Sequence, residues 1–174
     1  MPSTEQQFLE FYDKNVTKIY RYIYFRVGSR EATQDLASEA FTKTWQYLKN
    51  GNRHIGNLSA LIYQICRNLI ADYFRYNADM PIPISDISDK TSDKIIGETE
   101  STIAAKVEDC FRLDQIRQCL RLIKPEYQEL IIWYYIDDFE VSEIAQILGK
   151  SEGAVRTSLS RAIGALKRQI EAKN

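Results

Sequence analysis

Cysteine, histidine, proline and glycine are all scarce in this 174-residue chain, and each shortage closes off a class of protein. The three cysteines, Cys66, Cys110 and Cys119, form no CxxC pair, and His54 is the single histidine. A structural zinc site needs about four well-spaced Cys/His ligands, so the residues predict no metal centre and imply no cofactor. An odd cysteine count on apolar faces points to reduced, buried thiols in a cytoplasmic protein rather than a disulfide framework. No nucleophile has an identifiable partner in His54, so nothing predicts an enzyme. The longest apolar run, LIIWYYI at Leu130–Ile136, is too short to cross a bilayer. The opening residues, MPSTEQQFLEF, lack the basic and apolar regions of a signal peptide, and no membrane insertion is expected.

What is present is helical periodicity. Seven glycines, four prolines and no alternating apolar/polar run leave an all-α reading. Phe8, Tyr12, Val16, Ile19, Ile23 and Val27 recur at helical steps, and Gly28-Ser29 supplies a stop and a new cap. Leu36, Ala40, Phe41, Trp45 and Leu48 form the next apolar face, ending at Asn50-Gly51. After the polar loop NGNRHIGN, a third helix runs from about Leu58 to Tyr76 with Leu58, Leu61, Ile65, Leu69 and Tyr73 inward. Most of the eleven tyrosines sit at core spacing and read as packing residues.

From Asn77 to Thr102 the composition shifts to NADMPIPISDISDKTSDKIIGETEST, polar and acidic with weak periodicity. Such a stretch reads as a flexible linker, and it divides the chain into a helical domain at 1–76, a linker at 77–102 and a second helical domain at 103–174. Charge follows the same plan. Residues 1–76 carry 10 Lys/Arg against 7 Asp/Glu, while 77–113 carry 4 against 8. Residues 114–143 carry 3 against 7, and 144–174 carry 6 against 2. The overall formal charge of −1 therefore hides basic ends around an acidic middle, and any nucleic-acid contact belongs to the ends.

The C-terminal stretch EIAQILGKSEGAVRTSLSRAI consists of two amphipathic segments hinged at Gly149. Pro125 suits a first helical turn, and Ser142 and Ser151 suit N-caps. Ala145 before the glycine and Val155 after it supply the small crossing residue and the apolar plug of a helix-turn-helix. The second segment presents Arg156, Thr157, Ser160, Arg161, Lys167 and Arg168 outward. Arginine can read guanine edges or clamp phosphate, and hydroxyls can contact either. A solvated charged face on a helical hairpin would show the same residues.

Three stretches together resemble bacterial RNA polymerase sigma factors of the extracytoplasmic-function (ECF) type. ATQDLASEAFTKTWQYL (Ala32–Leu48) resembles the helix that docks on the β′ clamp of core RNA polymerase. LIYQICRNLIADYFR (Leu61–Arg75) resembles the helix that meets the −10 element. The segment from Leu122 to Lys167 resembles the one that reads the −35 element, and it implies docking on the β flap. The resemblance departs from the family pattern at Ser38, Leu61, Ala154 and Ser158, where glutamine, tryptophan, threonine and arginine are usual. It also lacks the arginine cluster that usually follows Arg75.

Taken residue by residue, the resemblance assigns Lys150, Ser151, Arg156, Thr157, Ser160, Arg161 and Lys167 to the −35 element. It assigns Asn52, Arg53, His54, Asn57, Gln64, Arg67, Asn68 and Arg75 to the −10 strand, the loop residues capturing a flipped base. By spacing alone Asp35 and Glu39 read as solvated charges; the resemblance instead places them, with Ser38 and Thr42, on polymerase. Its implied partners are core polymerase, promoter DNA and an anti-sigma factor, with the free protein a monomer. Two other readings stay open on the residues: a stand-alone helix-turn-helix regulator, and a sigma-like interaction module with weak DNA reading.

Overall fold

The computed structural model describes residues 3–51, 57–78 and 114–173. Every regular element among them is helical. The linker lies outside the described residues apart from its first two positions, and so do the expected apolar positions Ile103, Val107 and Phe111.

Local chemistry sets the helix ends. α1 (Thr4–Val27) opens on a capping box: Ser3 Oγ accepts from the Gln6 N–H at 3.2 Å, and the Ser3 N–H donates to Gln6 Oε1 at 3.0 Å. It stops at Gly28, whose φ of 78° lets its N–H reach the Tyr24 carbonyl at 2.8 Å. Ser29 then caps α2 (Arg30–Lys49) by accepting from the Ala32 N–H. Asn57 caps α3 (Leu58–Asn77) in the same way. The described part of α4 covers 114–120. Pro125 opens α5 (Pro125–Ile131), as its missing N–H allows.

α5 continues into a π-helical turn at Ile132–Ile136. The wider turn points Ile132 and Trp133 into the core and leaves Tyr134 and Tyr135 outside. It closes with Asp137 N–H on the Ile132 carbonyl at 2.9 Å and Phe139 N–H on the Trp133 carbonyl at 2.8 Å. Asp138 takes a left-handed φ of 55°, which a short polar side chain tolerates. α6 (Val141–Leu148) and α7 (Glu152–Lys173) follow. Glu140, not Ser142, is the N-cap of α6; its N–H is held by the Glu143 carboxylate at 2.8 Å, so the helix begins one residue before the serine.

The stripe read on α3 is rotated in the structure. Ile62, Tyr63, Cys66 and Ile70 are buried along with the expected Leu69, while Leu58, Leu61, Ile65 and Tyr73 are only half-buried. The cause is burial on two sides: α3 packs on α1 and α2 and also on α6. One apolar core therefore runs from Ile19, Tyr22 and Ile23 through Tyr63 to Trp133, Phe139, Ile144 and Val155. Cys66 and Cys119 are free and buried, and burial pushes the Cys66 thiol far above its ordinary value.

Candidate nucleic-acid interface

Three surfaces carry the residues singled out by sequence. The first is the helix-turn-helix of α6 and α7. Gly149 makes the turn with φ of 62°, and an added Cβ would meet nothing within 4 Å, so conformation rather than space requires glycine there. The Lys150 N–H closes the turn on the Ala145 carbonyl at 3.0 Å. Ser151 Oγ caps α7 through the Ala154 N–H at 3.2 Å. Val155 is fully buried and Ala145 nearly so, as the close crossing of the two helices requires. Lys150, Ser151, Arg156, Thr157, Ser160, Arg161 and Lys167 are all exposed. Arg156 is held by Glu152 one turn earlier, at 3.0 Å, an exposed pair that water and salt screen.

The second surface is the outer face of α3. Asn68 and Arg75 are exposed, and Arg75 pairs with Asp72 at 3.2 Å. Gln64, also exposed, and the half-buried Arg67 and Asn57 make contacts to the C-terminal helices. Gln64 Nε2 donates to the Ile147 carbonyl at 3.4 Å, and Asn57 Nδ2 donates to Gln146 Oε1. Arg67 Nε donates to Glu129 Oε1 at 3.0 Å. Asn52, Arg53 and His54 lie outside the described residues.

The third surface is the outer face of α2. Asp35, Ser38, Glu39 and Thr42 are exposed. Glu39 pairs with Lys43 at 2.9 Å, and the Thr42 hydroxyl donates to the Ser38 carbonyl within its own helix. Ser38 and Thr42 edge an open groove of ≈ 670 Å³ between α1 and α2, floored by Phe8, Tyr12, Phe41 and Trp45.

Sequence reasoning passed over the residues that join these surfaces. Glu129 is buried, and its Oε1 accepts from Tyr22 Oη at 2.9 Å, Arg26 Nη1 at 2.9 Å and Arg67 Nε at 3.0 Å. Arg26 is also buried. Burial and the neighbouring Glu129 carboxylate push the Tyr22 phenol well above its ordinary value, so it stays a donor. Asp137 is buried against Arg21, whose Nε and Nη2 both donate to its Oδ1. Tyr22 stacks on Trp133 with centroids 5.5 Å apart, and Tyr63 meets the same indole edge-on at 5.6 Å. A charge set inside an apolar stripe, such as Arg26 among YIYFRV or Glu129 beside LIIW, was the available signal.

Residues 11–79 match the Sigma-70 region 2 family and residues 113–166 match Sigma-70, region 4. The chain belongs to the sigma-70 family. Within it, the chain is of the extracytoplasmic-function type. It is 28% identical over 164 residues to the ECF RNA polymerase sigma factor BldN of Streptomyces coelicolor, covering 94% of this chain and 60% of BldN. It thus spans less than two thirds of that relative's length. Against the ECF RNA polymerase sigma factor SigW of Bacillus subtilis it is 24% identical, covering 95% of this chain and 90% of SigW. The fold is also that of the sigma factor RpoE of Bartonella quintana, solved with the anti-sigma factor NepR. There the TM-score is 0.65 at 16% identity, over 97% of this chain and 99% of that one. No described helix is long and apolar enough to cross a membrane.

Proposed function

We propose that this chain is a sigma factor that binds core RNA polymerase and directs it to particular promoters. The observation that carries the reading is the order of the two matches, region 2 at 11–79 and region 4 at 113–166. A stand-alone helix-turn-helix regulator would need only the second. In this reading residues 1–76 form the polymerase and −10 unit, 77–102 the linker and 103–174 the −35 unit. Asp35, Ser38, Glu39 and Thr42 meet the β′ clamp, and the C-terminal unit meets the β flap. The face of α3 with Gln64, Arg67, Asn68 and Arg75, and the loop with Asn52, Arg53, His54 and Asn57, take the −10 strand. The exposed face of α7, from Lys150 to Lys167, takes the −35 duplex.

No covalent chemistry is needed. Favouring the unpaired −10 strand over the duplex shifts the promoter toward its open form by differential binding. The protein works in the cytoplasm, where polymerase is, and an anti-sigma factor of the kind solved with RpoE is its expected regulator. Run-off transcription with reconstituted core polymerase on a randomised promoter library tests the reading. Enrichment of a −35/−10 pair that depends on this chain is the expected result. Transcription no different from core polymerase alone would overturn it.

A further inference from the structure

α7 carries five basic side chains against two acids, and one of the acids, Glu152, opens the helix. An acid in the first turn suits the helix dipole, yet on a face turned toward phosphates it subtracts from affinity. Among the described residues its carboxylate is the only group that holds the Arg156 guanidinium. Nη2 donates to Oε2 at 3.0 Å, and both side chains are more than half exposed. A guanidinium has five N–H donors, so the others stay available to a second partner. The neighbouring hydroxyls are already engaged: Thr157 donates to the Gly153 carbonyl at 3.1 Å, and Ser151 caps the helix. Arg156 and Lys150 are left as the charged donors at this end, and only the planar fork of Arg156 has a fixed geometry that a partner can aim.

We propose that Glu152 is a positioning residue for −35 recognition: it aims the Arg156 guanidinium at a base edge and keeps it from settling on the phosphate backbone. The role rests on the proposed function for the DNA it acts on. A free arginine side chain loses rotamer entropy when it docks, and one already tied to the preceding turn has less to lose. In the free chain the pair is screened and contributes little. Inside the major groove water is displaced, and the same contact strengthens as the local dielectric falls. Charge supplies the other half of the role. Paired with Glu152, Arg156 belongs to a neutral unit that gains little from a phosphate, whereas Arg161 has no acidic partner among the described residues. An unpaired arginine at the same place would bind any sequence; the paired one binds where a base edge fits it.

Glu152→Gln keeps the length of the side chain and an acceptor oxygen while removing the charge. The measurement is transcription by core polymerase with the full-length chain, from a series of single-base −35 variants at two salt concentrations. Glu152→Gln should lower preference at the position Arg156 reads by about three- to tenfold, part of what a bidentate arginine contact supplies. The same variant should steepen the salt dependence by about one, because the released Arg156 takes a phosphate instead. In an Arg156→Ala background Glu152→Gln should change the preference no further. If Glu152 only stabilises the start of the helix, the substitution lowers the melting temperature and leaves base preference as it was; that result overturns the proposal. A preference that still falls in the Arg156→Ala background makes Glu152 a direct reader of DNA and overturns it too. Absence of transcription with the wild-type chain would count against the proposed function. The same variant series is then read by binding of the full-length chain to duplexes, where an unchanged preference for Glu152→Gln overturns the positioning role by itself.

Discussion

Arg156 and Arg161 share the outer side of α7 but not one direction. Five residues apart, they lie about 140° around the helix axis. One base pair cannot receive both. Arg156 is nearer the N-terminal end of α7, the end that contacts base edges in helix-turn-helix proteins. Arg156→Ala should relax preference at one −35 position and cost about 1–3 kcal/mol on the best site. Arg161→Ala should weaken all sequences alike and lower the salt slope by about one. Transcription from −35 variants at two salt concentrations separates the two; the same effect from both substitutions would refute the division. The Glu152–Arg156 pair was not anticipated from the outward face of α7, though it follows from i,i+4 spacing. Asp137 shows what residue-level reading cannot supply. Nothing local marks it as buried, because Arg21 lies 116 positions away in sequence. Burial raises its pKa above the ordinary 3.8, even against the lowering effect of Arg21. An acid whose folded pKa is raised adds stability below its ordinary pKa and loses it as pH rises through the folded value. The stability of wild type relative to Asp137→Asn should therefore fall as pH rises from the ordinary carboxylate value of 3.8. Denaturant melts from that pH upward check it, and a relative stability that rises with pH would mean the Arg21 pairing outweighs burial.

Helix ends were legible in the sequence because they are made by neighbours. Ser29, Gly149, Ser151 and Pro125 do what their residue types allow within four positions. Where the choice lay between nearby polar residues, as with Glu140 and Ser142, the cap could not be read from residue type. The stripe on α3 was misplaced for a different reason. Periodicity identifies an apolar face, but two-sided burial has no single face, and Tyr63 and Cys66 lie on the side that α6 and the π turn cover. The π turn itself inserts a residue into LIIWYYI, a run apolar in either register. At the element scale the helix-turn-helix makes the sharpest prediction. Gly149→Ala adds a methyl group to open space, so the whole effect is the left-handed backbone, about 1–2 kcal/mol. Thermal unfolding should register that loss with −35 preference intact. A neutral substitution would show that the turn can relax to another conformation.

At the scale of the molecule, sequence matched two separately named regions and the structure joins them through a common core. Trp133, from the C-terminal half, is fully buried against the N-terminal half: Tyr22 from α1 stacks on it and Tyr63 from α3 meets it edge-on. Large aromatic rings dominate the apolar area of a core, and their removal costs about 3–5 kcal/mol. A core shared in this way couples the halves, because neither can unfold without exposing aromatic surface on the other. The free wild-type chain should therefore unfold in a single calorimetric transition, its van't Hoff enthalpy matching the calorimetric one. Trp133→Ala removes the ring that the C-terminal half buries against Tyr22 and Tyr63. It should lower the transition and broaden it toward two steps, because the N-terminal helices retain the Phe11–Phe41 and Phe8–Trp45 contacts of their own. Two resolved transitions in the wild type would show that the aromatic contact does not couple the halves.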